Sequence, residues 1–192
     1  MKARNNTKAI VIVHGKSEYD IVKYIKSKLR IPMEIYSRSN GKMSIVIESL
    51  NDVLCNRDFK NIKGFVKRFP KVELDAKDKP INVKIFMIMD VDSTDVKVFN
   101  EYKDKSLFPK SWLKDMLVPI WNDNNLEDVL NLIGYFYAKT GKEKKNYRKA
   151  FPVERGSQDL KSIEELRDNL QKVTNSNMDD FLTFCLNNCP RF

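Results

Sequence analysis

Apolar residues are arranged along this chain in two rhythms, one continuous and one with helical spacing. Ala9–Val13 (AIVIV) is an unbroken β-branched run, and 83–89 (VKIFMIM) is a second, stronger one. Runs of this kind mark strands buried on both faces. Between them, 15–17 turns the chain, and Ser17 is expected as a helix N-cap with Glu18 and Asp20 in the first turn. Tyr19, Val22, Ile25 and Leu29 then recur at helical spacing, with Pro32 just past the end. A short strand is expected at Met33–Tyr36. The loop SRSNGKMS leads from it into a second helix carrying Ile45, Ile47, Leu50, Val53 and Leu54. Phe59, Ile62, Phe65, Val66 and Phe69 predict a further short helix within a basic stretch over 56–80. Beyond the second strong run, 117–121 (LVPIW) reads as a strand broken by Pro119, and helices are predicted over 125–138, 159–173 and 178–188.

Strand, helix, strand, helix and strand in succession predict an α/β fold, a Rossmann-like parallel sheet flanked by crossover helices. The C-terminal part reads as mainly helical. With no linker dividing the halves, 1–192 is expected to be a single domain, with a core over about 8–125 and a helical cover over about 126–192. In such sheets ligands gather at the carboxyl ends of the strands. The segments HGKSE and DVDST both fall there.

Composition narrows the classes. No apolar run approaches the roughly 18 residues a membrane span needs, and the first run is too short for a signal-peptide core. Cys55, Cys185 and Cys189 form no even-numbered framework, so a reducing, cytoplasmic setting is expected. His14 is the only histidine, which excludes any site needing two. The net charge of +9 favours polyanions such as nucleic acid. A Lys- and Asn-rich composition also follows from an AT-rich genome, and that source stays open. Arg38, Asn40, Gly41 and Lys42 sit in a strand-to-helix loop, with Lys16 in the corresponding first turn. They either contact phosphate or form solvated turns. KTGKEKKNYRK over 139–149, with Tyr147 among its cations, is either a phosphate- and base-binding patch or an exposed loop.

Asp90 and Asp92 are two apart, so an extended backbone would project both to one side. Adjacent carboxylates repel unless a cation lies between them, and hard oxygen ligands suit Mg²⁺ or Mn²⁺. Asp95 is a candidate third carboxylate, whereas Ser93 and Thr94 could cap the next helix; the whole segment could also be a turn after a strand. HGKS is not a phosphate-binding P-loop, because Ile10 stands where that motif needs glycine. DVDST also fits the DxDxT motif of haloacid-dehalogenase-type phosphatases, with Asp90 as nucleophile and Asp92 as acid/base. In those enzymes the motif opens the catalytic domain, whereas here it follows two sheet units.

VIVHGKSEYDIVKYI read together with MIMDVDS resembles the Toprim domain, whose first motif is a strand ending in Glu-Gly and whose second ends in Asp-x-Asp. The closest style is that of OLD-family and RloB-like nucleases. The resemblance covers roughly 8–150, and it departs at His14, which stands where the family has glutamate. It implies a metal held by Asp90, Asp92 and Glu18, with His14 or Glu18 as acid/base and Lys16, Arg38 and Lys42 on phosphate. WNDNNLEDVLNLIGYFY resembles the following segment of those proteins, which matches Glu127 and Asp128 to its acidic positions; first-turn helix charges are the plainer account of both. KNYRKAF resembles their basic-aromatic stretch. The implied function is a Mg²⁺- or Mn²⁺-dependent nuclease acting on DNA or RNA, in phage defence, as a homo-oligomer or within a larger complex. The missing glutamate keeps a second reading open, a degenerate module that binds nucleic acid or a protein partner without catalysis.

Overall fold

The structure, a computed structural model, describes residues 6–92, 94–109, 111–135, 151–153 and 158–191. Among the described residues six strands occur in chain order: β1 Ala9–Val13, β2 Met33–Tyr36, β3 Glu73–Leu74, β4 Pro80–Ile81, β5 Lys84–Asp90 and β6 Leu117–Asn122. Four of them form a wholly parallel sheet in the order β2-β1-β5-β6, while β3 and β4 make a small antiparallel pair. The helices are α1 Lys16–Leu29, α2 Leu50–Cys55, α3 Ile62–Arg68, α4 Val96–Lys103, α5 Leu126–Leu132, α6 Leu160–Leu170 and α7 Met178–Asn188. The fold is α/β, with a parallel sheet flanked by helices in a Rossmann-like manner.

The two continuous apolar runs are explained by the period of a strand. Ala9, Val11 and Val13 of β1, with Phe86 and Ile88 of β5, point into a core closed by α1, α5, α6 and α7. Ile10 and Ile12, with Ile85, Met87 and Met89, point into a second core closed by the 45–54 segment, Phe59, α3 and Tyr102 of α4. Every second residue therefore faces a different core, and neither face tolerates a polar side chain until the strands end.

Several boundaries differ from expectation for local reasons. Gly15, not Ser17, is the N-cap of α1, because the Glu18 carboxylate reaches back to the Gly15 N–H at 2.8 Å. Ile45 is outside any helix, since its N–H is bonded to the His14 carbonyl at 2.8 Å; a short 3₁₀ turn at Ile47–Ser49 leads into α2 instead. Helix α5 stops early, where Gly134 adopts a φ of +78°. The hairpin β3–β4 and helix α4 were not expected from the sequence, although Val98, Phe99 and Tyr102 of α4 all pack on the second core. The basic stretch over 139–149, the last residues of the predicted 125–138 helix, and Ser93 lie outside the described residues.

Strand β6 is not broken at Pro119, which pairs with Met87 in unbroken register. Proline lacks a backbone donor, but Pro119 faces the outer edge of the sheet, where its carbonyl accepts from Asn177, so the pairing with β5 loses none. Between β5 and β6 the hydroxyl of Tyr102 accepts from Ile120 N at 3.2 Å and lies 2.5 Å from the Met87 carbonyl, to which it donates. The outer edge of β6 is covered by the turn before α7: Asn177 accepts from Trp121 N and donates to Pro119 O, and Asp123 N donates to Asn175 O. No described helix is long and apolar enough to cross a membrane.

Tyr102→Phe leaves the volume of a fully buried ring intact and deletes the hydroxyl bridge. It is expected to lower unfolding stability by about 1–3 kcal/mol, measured by urea titration, because buried backbone groups lose their partner.

Candidate metal centre

The carboxyl ends of β1, β5 and β6 bring together side chains far apart in sequence. Asp90 is the last residue of β5, and the parallel register sets it opposite Asn122, the last residue of β6. Asn122 is fully buried; its amide donates to Asp90 Oδ1 at 3.1 Å, and its carbonyl accepts from Ser176 Oγ at 3.0 Å. The first backbone N–H of α5, from Leu126, also donates to Asp90 Oδ1 at 3.0 Å. The next residue, Glu127, turns inward and accepts from Ser17 Oγ at 2.6 Å. Glu18 projects from α1 into the same space.

Glu18, Asp90 and Glu127 each offer a carboxylate oxygen within 4.8 Å of the others. All three are buried, at 1%, 8% and 7% exposure. Burial raises the Glu18 carboxyl well above the usual range, and the charges of Asp90 and Glu127 push it further. Burial likewise raises Asp90 to about 7, reinforced by Glu127 and Asp92 and opposed by the hydrogen bonds from Asn122 and Leu126. Glu18 Oε2 is bonded to Gly15 N–H, but Oε1 is buried without any hydrogen-bond partner.

This donor set fits a divalent cation. Carboxylate oxygens bind Mg²⁺ or Ca²⁺ at about 2.0–2.6 Å, so ligands across one ion lie roughly 4–5 Å apart. Oxygens within 4.8 Å of one another are compatible with that span, and the orphaned Glu18 oxygen lacks the partner an ion would supply. A buried acidic triad that could hold a metal ion is therefore present.

A cavity of about 300 Å³ opens onto the triad and is also lined by His14, Lys16, Ser17, Ser44, Asp92 and Asn125. His14 follows β1 directly, its N–H bonded to Ile88 O at 2.9 Å. Burial holds its ring below the ordinary imidazole value, against the opposing pull of Asp92, the Ile45 backbone and Glu127. The ring is thus neutral at neutral pH, and its buried Nδ1 has no partner. Lys16 also lines an adjoining groove of about 530 Å³ with Tyr19, Lys23, Asn40, Lys42 and Phe151. Gly41, at φ +81°, lets this loop close down, because a Cβ there would lie 2.6 Å from the Gly15 carbonyl oxygen.

The candidates read from sequence thus separate. Glu18, Asp90 and Glu127 converge, with His14, Lys16 and Asp92 around them and Lys42 in the adjoining groove. Asp92 does not join the triad: β5 ends at Asp90, the backbone turns, and Asp92 is exposed. Asp95 caps α4 by accepting from Lys97 N at 2.8 Å. Asp128 lies in the first turn of α5, which Asn125 caps: its N–H donates to Asn125 Oδ1, and its carboxylate accepts from Asn125 Nδ2 at 3.0 Å and from Asn124. Arg38 is exposed, and its backbone bridges to Met43 across the loop. Asn122 and Ser17, which orient two of the carboxylates, were not picked out for this role; only strand register and a contact across 110 positions reveal them.

The shifted carboxyl predicts a pH dependence. Folded Asp90 keeps its proton up to about pH 7, whereas an unfolded aspartate releases it near pH 4. The metal-free folded state therefore loses stability as pH rises between those values. Asp90→Asn, which preserves the acceptor for Asn122 and Leu126, should be about as stable as wild type at about pH 4 and more stable by roughly 1–3 kcal/mol at about pH 8. Urea unfolding at both pH values in EDTA checks this, and an equal difference at the two would contradict it.

No family model matches the chain, and no curated protein or solved structure matches it.

Proposed function

We propose that the protein is a Toprim-like phosphodiesterase that cleaves nucleic acid with Mg²⁺ or Mn²⁺. The observation that carries this reading is the buried triad of Glu18, Asp90 and Glu127 with an unsatisfied carboxylate oxygen, at the carboxyl end of a parallel sheet beside a lysine-lined groove. Glu18, Asp90 and Glu127 would hold the ion. When bound, such an ion polarises a phosphoryl oxygen and lowers the pKa of water.

The chain's own residues have separable tasks. Asn122 and the Leu126 N–H fix Asp90, and Ser17 fixes Glu127, so two of the three carboxylates are oriented before any ligand arrives. His14, neutral and on the cavity wall, is placed to accept a proton as general base. It stands where the Toprim motif has glutamate, while Glu18 places a carboxylate one helical turn further on. Lys16 and Lys42 hold phosphate in the adjoining groove; the Lys16 ammonium also pairs with Asp20, which keeps it on the groove's rim.

The second reading, a nucleic-acid- or partner-binding module without catalysis, has one observation in its favour. The raised carboxyls of Glu18 and Asp90 let the cluster persist as a protonated polar core without any ion. The phosphatase reading makes Asp90 a nucleophile, and a small phosphoester assay addresses it.

Cleavage of labelled DNA, RNA and tRNA with Mg²⁺ or Mn²⁺ tests the proposal. Wild type should cut at least one of them. Glu18→Gln, Asp90→Asn and Glu127→Gln should each lose about 100-fold or more, and His14→Ala about 100-fold. Mn²⁺ should raise the wild-type Tm, in proportion to ln(1 + [Mn²⁺]/Kd), and raise that of Glu18→Gln less. No cleavage by wild type with either ion, together with intact nucleic-acid binding, would leave the non-catalytic module.

A further inference from the structure

On the sheet face opposite α1, the turn preceding α3 and the helix itself form a cleft of about 430 Å³ with an almost purely cationic lining. Arg57, Lys60, Lys63, Lys67 and Arg68 contribute five positive charges against one negative charge, from Asp58. All five cations are exposed. Asp58 holds the two arginines, at 3.4 Å from Arg57 Nε and 3.8 Å from Arg68 Nε, whereas Lys60, Lys63 and Lys67 make no ion pair among the described residues. None of the carboxylates of the metal centre lines this cleft.

Its floor is rigid. Phe59, Phe65 and Phe69 pack against one another behind it, with ring centroids 5.1–6.2 Å apart, and Trp112 Nε1 ties the turn by donating to the Phe59 carbonyl at 2.7 Å. Gly64 permits α3 to lie directly on the turn: an added Cβ would be 1.9 Å from the Arg57 carbonyl oxygen. The cations are thus displayed on a fixed platform and not on a free loop.

We propose that this cleft is a second nucleic-acid-binding surface, one that anchors the phosphodiester backbone away from the metal centre. The lining contains no aliphatic or aromatic side chain, as insertion into a lipid surface would require. Lys63 and Lys67 are four residues apart on one helix, so their bases are separated by about 6 Å along its axis. Cations at that separation can lie along a row of phosphates. The proposal rests on the nucleic-acid substrate assigned to the carboxylate site, and it adds to that site a distinct anchoring surface.

Binding of fluorescein-labelled single-stranded and duplex oligonucleotides, followed by anisotropy in EDTA over a range of salt concentrations, separates the two claims. The variant Lys60→Glu/Lys63→Glu/Lys67→Glu is compared with Lys77→Glu/Lys161→Glu/Lys172→Glu, which makes the same change in net charge at exposed positions outside the cleft. Circular dichroism verifies that both are folded. Loss of three phosphate contacts predicts an affinity at least about tenfold weaker at low salt, and a log–log salt slope smaller by about 2–3, in the first variant alone. Equal weakening in both variants overturns the cleft and leaves the nuclease reading intact. Oligonucleotide binding that depends on the cleft, without metal-dependent cleavage, overturns the nuclease reading and keeps the cleft. A wild-type protein that binds no oligonucleotide overturns both. Loss confined to phosphatidylserine vesicles, with oligonucleotide binding unchanged, would make the cleft a lipid-facing surface and overturn the proposal.

Discussion

Three carboxylates enclosed within 4.8 Å of one another are the costliest feature of this molecule, and much of the surrounding structure fixes them there. Removing a single charge from water costs several kcal/mol even after relaxation, and like charges add repulsion to that cost. The protein lowers it locally. Asp90 accepts two hydrogen bonds, Glu127 accepts one from Ser17, and one oxygen of Glu18 accepts the N–H of its own helix cap. The remainder is left as raised proton affinity and as one carboxylate oxygen with no partner. A site in this condition could hold a metal ion.

The sheet explains how such a site can be held. Two strands with side chains buried on both faces deliver His14 and Asp90 to the same end of the sheet, and parallel pairing sets Asn122 opposite Asp90. Asn122 in turn is held by Ser176, from the turn that covers the edge of β6. The C-terminal helices therefore do more than shield the sheet: through that turn they fix the amide that orients Asp90. The Tyr102 hydroxyl serves the same end from the other face, because it ties β5 to β6 two residues before Asn122. A slip there would displace Asn122 from its partner.

Much of this was legible in the sequence, and the physical reasons are specific. β1 and β5 were evident because a strand buried on both faces needs an unbroken apolar run. Glu18 and Asp90 were evident because they follow such runs at the functional end of a parallel sheet. The pairing of Asp90 with Asp92 was a different matter. It assumed that extended backbone continues through Asp92, but the strand ends at Asp90, and the neighbours of that residue come from β6, α5 and α1. Glu127 illustrates the same limit: a first-turn glutamate is ordinary in sequence, and only the inward rotation of α5 makes it a member of the cluster. Pro119 misled for a related reason: a proline facing the outer edge of a strand costs no donor to the inner neighbour, and sequence does not show which edge it faces.

Charge placement carries the last step. The chain has 35 lysines and arginines. A buried arginine or lysine beside Glu18, Asp90 and Glu127 would neutralise part of the cluster, yet no described cation forms an ion pair with any of the three. Lys16, the cation lining the same cavity, pairs with Asp20. Positive charge is gathered instead in the groove beside the triad and in the cleft on α3. The proposed metal centre, taking a cation from solution beside a lysine-lined groove, accounts for that separation.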